Sequence, residues 1–149
     1  MSEAVRTQIE LQATPERVWE VVMDPHQLER WVTTHVALGD GAPRELENGS
    51  SFEQELKVSG AKFTVTWSVS DCDRPRQVSW SGRGPAGSRA HVRYLLEPRG
   101  EDTTAFEYEN EFELPGGALG RLAGRAVGDR VARREAERSL QNLKRLVEA

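Results

Sequence analysis

Few side chains in this sequence are spaced for chemistry, and those few are polar groups set among apolar ones. Asp129 and Arg133 stand four residues apart in a run rich in Ala, Leu, Arg and Glu. On a helix that spacing puts them on one face, one turn apart. Most simply they form a mutually satisfying ion pair. The sharper alternative is that Arg133 receives an anionic or carbonyl group of a ligand while Asp129 orients it. Tyr94 and Tyr108 carry hydroxyls, and Gln54 and Asn110 carry amides, each on the apolar side of an alternating segment. A buried polar side chain without a partner costs about 1–3 kcal/mol. Such groups bond one another, reflect a shifted strand register, or face a hydrated or ligand-filled cavity. Tyr108 and Asp129 are the candidates for moving a proton as general acid or base, were aldol-type ring closure to occur there.

Other chemistries find no support. His26, His35 and His91 are dispersed without a shared metal spacing, so no metal is expected, nor any other cofactor. The single cysteine, Cys72, excludes an internal disulfide, and its neighbours Asp71 and Asp73 raise a thiol's pKa, which opposes nucleophilic use. No serine nucleophile elbow is present. Gly82-Arg83-Gly84-Pro85-Ala86-Gly87 fits G-x-G-x-x-G but lies between two strands, and Pro85 removes a backbone donor. It reads as a flexible hairpin loop near a pocket mouth. Asn48-Gly49-Ser50 reads as a turn. Gly120, Gly124 and Gly128 form a close-packing spacing outside any membrane. The basic run Arg130 to Arg138 is interleaved with Glu135 and Glu137 and reads as a solvated helix face.

Bulk properties agree. The 149 residues fit one domain, 1–149, large enough for its own core. The net charge of −4 argues against nucleic acid and anionic lipid as partners. No apolar run exceeds three residues, so neither a membrane span nor a signal-peptide core is expected. The expectation is a soluble, cytoplasmic protein, and a homodimer is compatible with the sequence.

The elements that would position these groups are legible from periodicity. Residues 3–11 read as a strand. Thr14-Pro15 is an N-cap followed by a proline at the first helical position, and opens a short helix carrying Val18, Trp19, Val21, Val22 and Met23. Asp24-Pro25 repeats that signal for a second, brief helix ending near Trp31. From 33 to 113 the period is two. Phe52, Gln54, Leu56 and Val58 share a side; so do Phe63, Val65, Trp67 and Val69; then Val78 and Trp80; then Val92, Tyr94 and Leu96; then Phe106, Tyr108, Asn110 and Phe112. One wet side and one apolar side mean an antiparallel sheet covered on a single face. Residues 118–148 read as one long helix. Its inward face would carry Leu122, Ala126, Asp129, Arg133, Ala136, Leu140, Leu143 and Val147, firmly apolar only in its C-terminal half.

The expected class is α+β: a curled antiparallel sheet of six or seven strands wrapped around a long C-terminal helix, with two short helices after the first strand. A sheet around a helix whose near half is thin leaves space between them. That space would be lined by aromatics from the strands. Ordinary core packing accounts for many of the same residues.

Several stretches resemble a known family. Ala13-Thr14-Pro15-Glu16-Arg17-Val18-Trp19-Glu20-Val21-Val22-Met23-Asp24-Pro25, followed by Leu28 and Trp31, is similar to the opening of the START-like helix-grip superfamily (SRPBCC). Asp73-Arg74-Pro75-Arg76, Leu96-Glu97-Pro98 and Ser139-Leu140-Gln141-Asn142-Leu143-Lys144-Arg145-Leu146 resemble its polyketide cyclase/dehydrase-like branch. The resemblance covers nearly the whole chain. It implies a pocket for lipids, hormones, polyketides or quinones, in carriers and enzymes alike. The ligand-binding candidates are then Gln54, Trp67, Trp80, Tyr94, Phe106, Tyr108, Asn110, Phe112, Leu122, Ala126, Asp129 and Arg133, around a small hydrophobic ligand. Two alternatives stand beside a carrier: an aromatase/cyclase-type enzyme using the same cavity, and a protein-binding, co-chaperone-like adaptor with an exposed apolar patch.

Overall fold

The computed structural model describes residues 5–58, 60–113 and 117–149, and the side chains of these except 117–131. Leu122, Ala126 and Asp129, expected from the sequence to line the interior, therefore lie outside the described side chains.

Strand β1 (Val5–Leu11) is followed by helix α1 (Pro15–Val22), a 3-10 turn (Pro25–Gln27) and helix α2 (Leu28–Trp31). Thr14 caps α1, its Oγ1 accepting the Arg17 N–H at 3.2 Å, and Pro15 fills the first position, where no N–H is needed. Asp24 repeats the device, accepting the His26 N–H at 2.9 Å, with Pro25 next. The break between the helices is thus written in side chains. It turns α2 so that Leu28 and Trp31 are buried.

Six strands follow: β2 (His35–Leu38), β3 (Ser51–Val58), β4 (Ala61–Asp73), β5 (Gln77–Arg83), β6 (Arg89–Gly100) and β7 (Thr103–Glu113). They form one seven-stranded sheet in the order β1-β7-β6-β5-β4-β3-β2, antiparallel throughout. β1 and β2 are therefore the two edges, and β1 closes against the last strand. Strict alternation along β3 to β7 puts the aromatics on one face, wrapped against α3 (Gly117–Glu148), and leaves the other to water. The wet face carries a charge register: Arg6 and Arg93 both stand opposite Glu109, and the Arg6 guanidinium reaches it at 3.2 Å. Exposed pairs of this kind contribute at most about 1 kcal/mol; they favour the register more than the stability.

In α3 the residues Ala136, Leu140, Leu143 and Val147 are buried, an i, i+4, i+7, i+11 stripe as expected from the sequence. Arg133 departs from that expectation. It lies about 50° from the centre of the stripe at 100° per residue, and it is exposed. Its Nη1 donates to the Arg6 carbonyl at 3.2 Å, on the sheet's edge strand. Burying a guanidinium costs far more than leaving it at a rim with one carbonyl to bond. At the far end Glu148 accepts the Gln12 N–H at 2.8 Å. On the opposite flank Ser139 accepts the Thr33 N–H at 3.1 Å, and Asn142 donates to the Trp31 carbonyl at 3.3 Å. The helix is thus tied to β1 on one side and to the end of α2 on the other.

The glycine-rich stretch also differs from the sequence reading. Gly82 is not part of the loop but a buried residue of β5. A Cβ there would stand 2.5 Å from Val65 Cγ1 and 2.8 Å from the Trp67 ring, so only glycine lets β4 and β5 carry that indole between them. The loop proper begins at Gly84, and the adjoining Ala86 has φ +53°.

Candidate functional site

The concave face of the sheet gathers the aromatics in a continuous chain of ring contacts. Trp67 and Trp80 lie 5.8 Å apart between centroids, Trp80 and Tyr94 5.1 Å, Tyr94 and Phe106 5.3 Å, and Tyr94 and Tyr108 5.7 Å. All are tilted or edge-on, the geometry that ring quadrupoles favour. Phe112 stands further out, half-buried and edge-on to Phe63 at 6.4 Å. Register explains the grouping: Trp80 pairs with Val69 and Val92, and Tyr94 with Val78 and Tyr108, so same-face neighbours come from adjacent strands.

Trp31 joins this group from α2, fully buried, with centroids 5.9 Å from Tyr94, 6.0 Å from Tyr108 and 6.4 Å from Phe106. Periodicity made it merely the end of a helix. The only sequence signal for more was its place after Asp24-Pro25 and Leu28 in the family-like opening.

The polar groups fall into two sets. In the first, the Trp67 Nε1–H donates to Gln54 Oε1 at 2.8 Å, and Gln54 Nε2 donates to His35 Nδ1 at 2.9 Å. An amide nitrogen cannot accept, so His35 Nδ1 is unprotonated and the imidazole is neutral. Burial also lowers the His35 pKa, opposed by the charge of Glu29. His35 is the second residue that sequence spacing missed. It lies on edge strand β2, opposite Leu56 of β3 and beyond Gln54, a proximity that only pairing creates.

In the second set, Tyr108 and Asn110 share the buried face of β7, two residues apart. Burial raises the Tyr108 pKa, with hydrogen bonding from Asn110 opposing. Tyr94 is pushed well up by burial and then by Tyr108. Both hydroxyls are therefore held protonated, able to donate to an oxygen but not to act as bases at neutral pH. Beside them the indole N–H groups of Trp31 and Trp80 are buried with no acceptor among the described residues.

Gln54, Trp67, Trp80, Tyr94, Phe106, Tyr108 and Asn110 thus share one buried face, whereas Arg133 lines a separate cleft between β1 and α3. Burial, then Asp73, raises the Cys72 thiol. Its backbone is held at both ends by Asn48, whose Oδ1 accepts the Cys72 N–H at 2.8 Å and whose Nδ2 donates to the Cys72 carbonyl at 3.4 Å. The Asn48-Gly49 turn, with Gly49 at φ +88°, is structural in the way its sequence implied. Among the described residues no cluster of His, Cys, Asp and Glu could hold a metal, and no helix is long and apolar enough to cross a membrane.

Comparison with known proteins places this arrangement. In sequence the chain is 26% identical over 125 residues to the uncharacterized protein Rv1546 of Mycobacterium tuberculosis, covering 83% of this chain and 87% of that one. In structure it is similar to the Zhui aromatase/cyclase from Streptomyces sp. R1128, with a TM-score of 0.80 at 16% identity over 99% of this chain and 94% of that one. It is also similar to a START superfamily protein from Mycobacterium smegmatis, with a TM-score of 0.77 at 17% identity over 97% of each. At these identities the structural likeness speaks to the fold alone. The model of the family described as "Polyketide cyclase / dehydrase and lipid transport" matches residues 2–148. By that match over nearly its whole length, this helix-grip chain belongs to the polyketide cyclase / dehydrase and lipid transport family.

Proposed function

We propose that the chain binds a small hydrophobic or amphipathic molecule, bearing at least one carbonyl or hydroxyl oxygen, between the aromatic face of the sheet and α3. The observation that carries this reading is the pair of buried indole N–H groups, on Trp31 and Trp80, with no acceptor among the described residues, beside two protonated tyrosine hydroxyls. An unmet buried donor costs about 1–3 kcal/mol. A ligand oxygen received there regains that cost, while the rings supply apolar contact. Gln54, Trp67, Phe106, Asn110 and Phe112 complete the surface.

A second reading, aromatase/cyclase-type catalysis, is favoured by the placement of Tyr108, whose ring lies against Trp31 and Tyr94 on the buried aromatic face. There its hydroxyl can donate a hydrogen bond to a developing enolate or alkoxide oxygen, although burial, by raising its pKa, makes it a weaker acid. Asp129 would be the partner base. In this reading a Tyr108→Phe variant binds but does not turn over.

The test uses Nile red, a neutral apolar dye, as the probe. Saturable fluorescence enhancement is expected, with the dye displaced by a neutral polycyclic ketone. Trp31→Phe keeps an aromatic ring but removes the N–H together with the five-membered half of the indole. It should weaken the ketone by about five- to tenfold, the worth of one hydrogen bond, and leave Nile red within about twofold. Absence of saturable dye binding overturns the proposal; equal ketone affinity in wild type and Trp31→Phe overturns the role of the indole.

A further inference from the structure

We infer a second binding site, for a multiply charged anion of the di- or polyphosphate type, in the cleft between β1 and α3. The cleft is open, with a volume of about 820 Å³. Among the described residues, five arginines line it, Arg6, Arg133, Arg134, Arg138 and Arg145, with one lining carboxylate, Glu137. Two further carboxylates offset part of this charge, Glu109 on Arg6 and Glu135 on Arg138, which leaves a local excess of two positive charges among the described residues in a chain whose net charge is −4. In the sequence the run from Arg130 to Arg138 looks like an ordinary solvated helix face, because acidic residues alternate with it. The fold occupies part of the acidic set elsewhere: Glu135 binds Thr33 at the cleft's edge and keeps only a 3.9 Å contact with Arg138, and Glu148 is taken up by the Gln12 N–H and Lys144.

Three of the arginines form one stripe. Arg134, Arg138 and Arg145 lie within about 40° of one another at 100° per residue and span about 16 Å along the helix axis. Their donors are largely uncommitted. Arg134 has no partner among the described residues. Arg138 is only 3.9 Å from Glu135, and Arg145 gives one N–H to Asn142 Oδ1 at 2.8 Å. At the β1 end Arg133 is fixed by the Arg6 carbonyl and Arg6 by Glu109. Guanidinium groups present paired donors matched to phosphate oxygens. Neither Glu135 nor Glu137 spans a row of this length, whereas a chain of phosphates can engage successive arginines. A concave wall of net positive charge also concentrates such a ligand. Thr7 and Leu140, both buried, form the floor, so the anion lies against the sheet edge and outside the aromatic interior.

The experiment is isothermal titration calorimetry of the full chain with inorganic tripolyphosphate at about physiological ionic strength, where surface charges are screened beyond ~8 Å. One saturable site is expected. Arg134→Glu/Arg138→Glu should weaken it at least about tenfold, as loss of charge-assisted bonds does. Arg44→Glu/Arg83→Glu alters net charge equally at exposed arginines away from the cleft and should change affinity less than about twofold by screening alone. Circular dichroism checks that both fold; should the reversal fail to fold, Arg134→Gln/Arg138→Gln replaces it. No saturable heat, or equal weakening by the two double variants, overturns the site. Binding to phosphatidylglycerol vesicles that depends on Arg134 and Arg138, without tripolyphosphate binding, also overturns it in favour of a lipid headgroup surface. Nile red binding unaffected by Arg134→Glu/Arg138→Glu separates this site from the aromatic interior.

Discussion

Replacing Gln54 by leucine tests whether the buried hydrogen bond to Trp67, rather than shape alone, ties β3 to β4 under the aromatic face. Gln54 and Trp67 are 3% and 1% exposed, so no water can replace their 2.8 Å bond. Gln54→Leu keeps much of the volume but leaves the Trp67 N–H without an acceptor, a cost of about 2 kcal/mol. At ~2–4 °C per kcal/mol for a chain this long, Tm should fall by about 4–8 °C. Trp67→Phe alone orphans the Gln54 carbonyl and opens space, costing about 2–3 kcal/mol. Gln54→Leu/Trp67→Phe removes both polar partners together. It should therefore cost about 1–2 kcal/mol less than the sum of the singles. Urea denaturation followed by far-ultraviolet circular dichroism gives all four corners of the cycle, free of the lost tryptophan signal. Additivity within about 0.5 kcal/mol would refute the claim that this bond is energetically coupled.

Further outcomes follow from neighbouring features. His35 has a folded pKa below its ordinary 6.5, so its contribution is complete above about pH 6.5 and is lost as pH falls through the folded pKa. Urea midpoints between about pH 5 and pH 8 should show that decline in wild type and a flatter profile in His35→Gln, whereas identical profiles would exclude His35 as its source. Gly82→Ala should cost about 2–3 kcal/mol, because its methyl would meet Val65 at 2.5 Å and the rigid Trp67 ring at 2.8 Å. A change below about 0.5 kcal/mol, measured by calorimetry, would mean that β4 and β5 yield there more easily than a packed core should. Thr104→Val should cost about 1–2 kcal/mol by stripping the Ala13 carbonyl of its 2.7 Å donor inside the core, visible as a shifted urea midpoint at unchanged slope.

The element order and the inward faces were written in the sequence by local rules. Thr14-Pro15 and Asp24-Pro25 fix two helix starts through their own side chains, and period two along Phe52 to Phe112 assigns each side chain to a face before any partner strand is known. So Trp67, Trp80, Tyr94, Phe106 and Tyr108 could be placed on one face from spacing alone. What spacing cannot carry is the third dimension between elements. Strand order and register bring His35 to Gln54 and seat Trp31 against Tyr94 and Tyr108 across more than sixty residues of chain. They also decide that Gly82 belongs under the Trp67 ring and not to a loop. For Arg133, helical periodicity gave a position at the border of the apolar stripe, where a 100° step does not determine which way a long side chain goes. The desolvation cost of a guanidinium and the carbonyls of edge strand β1 decided it, and with it the placement of arginines that turns a mixed helix face into a basic cleft.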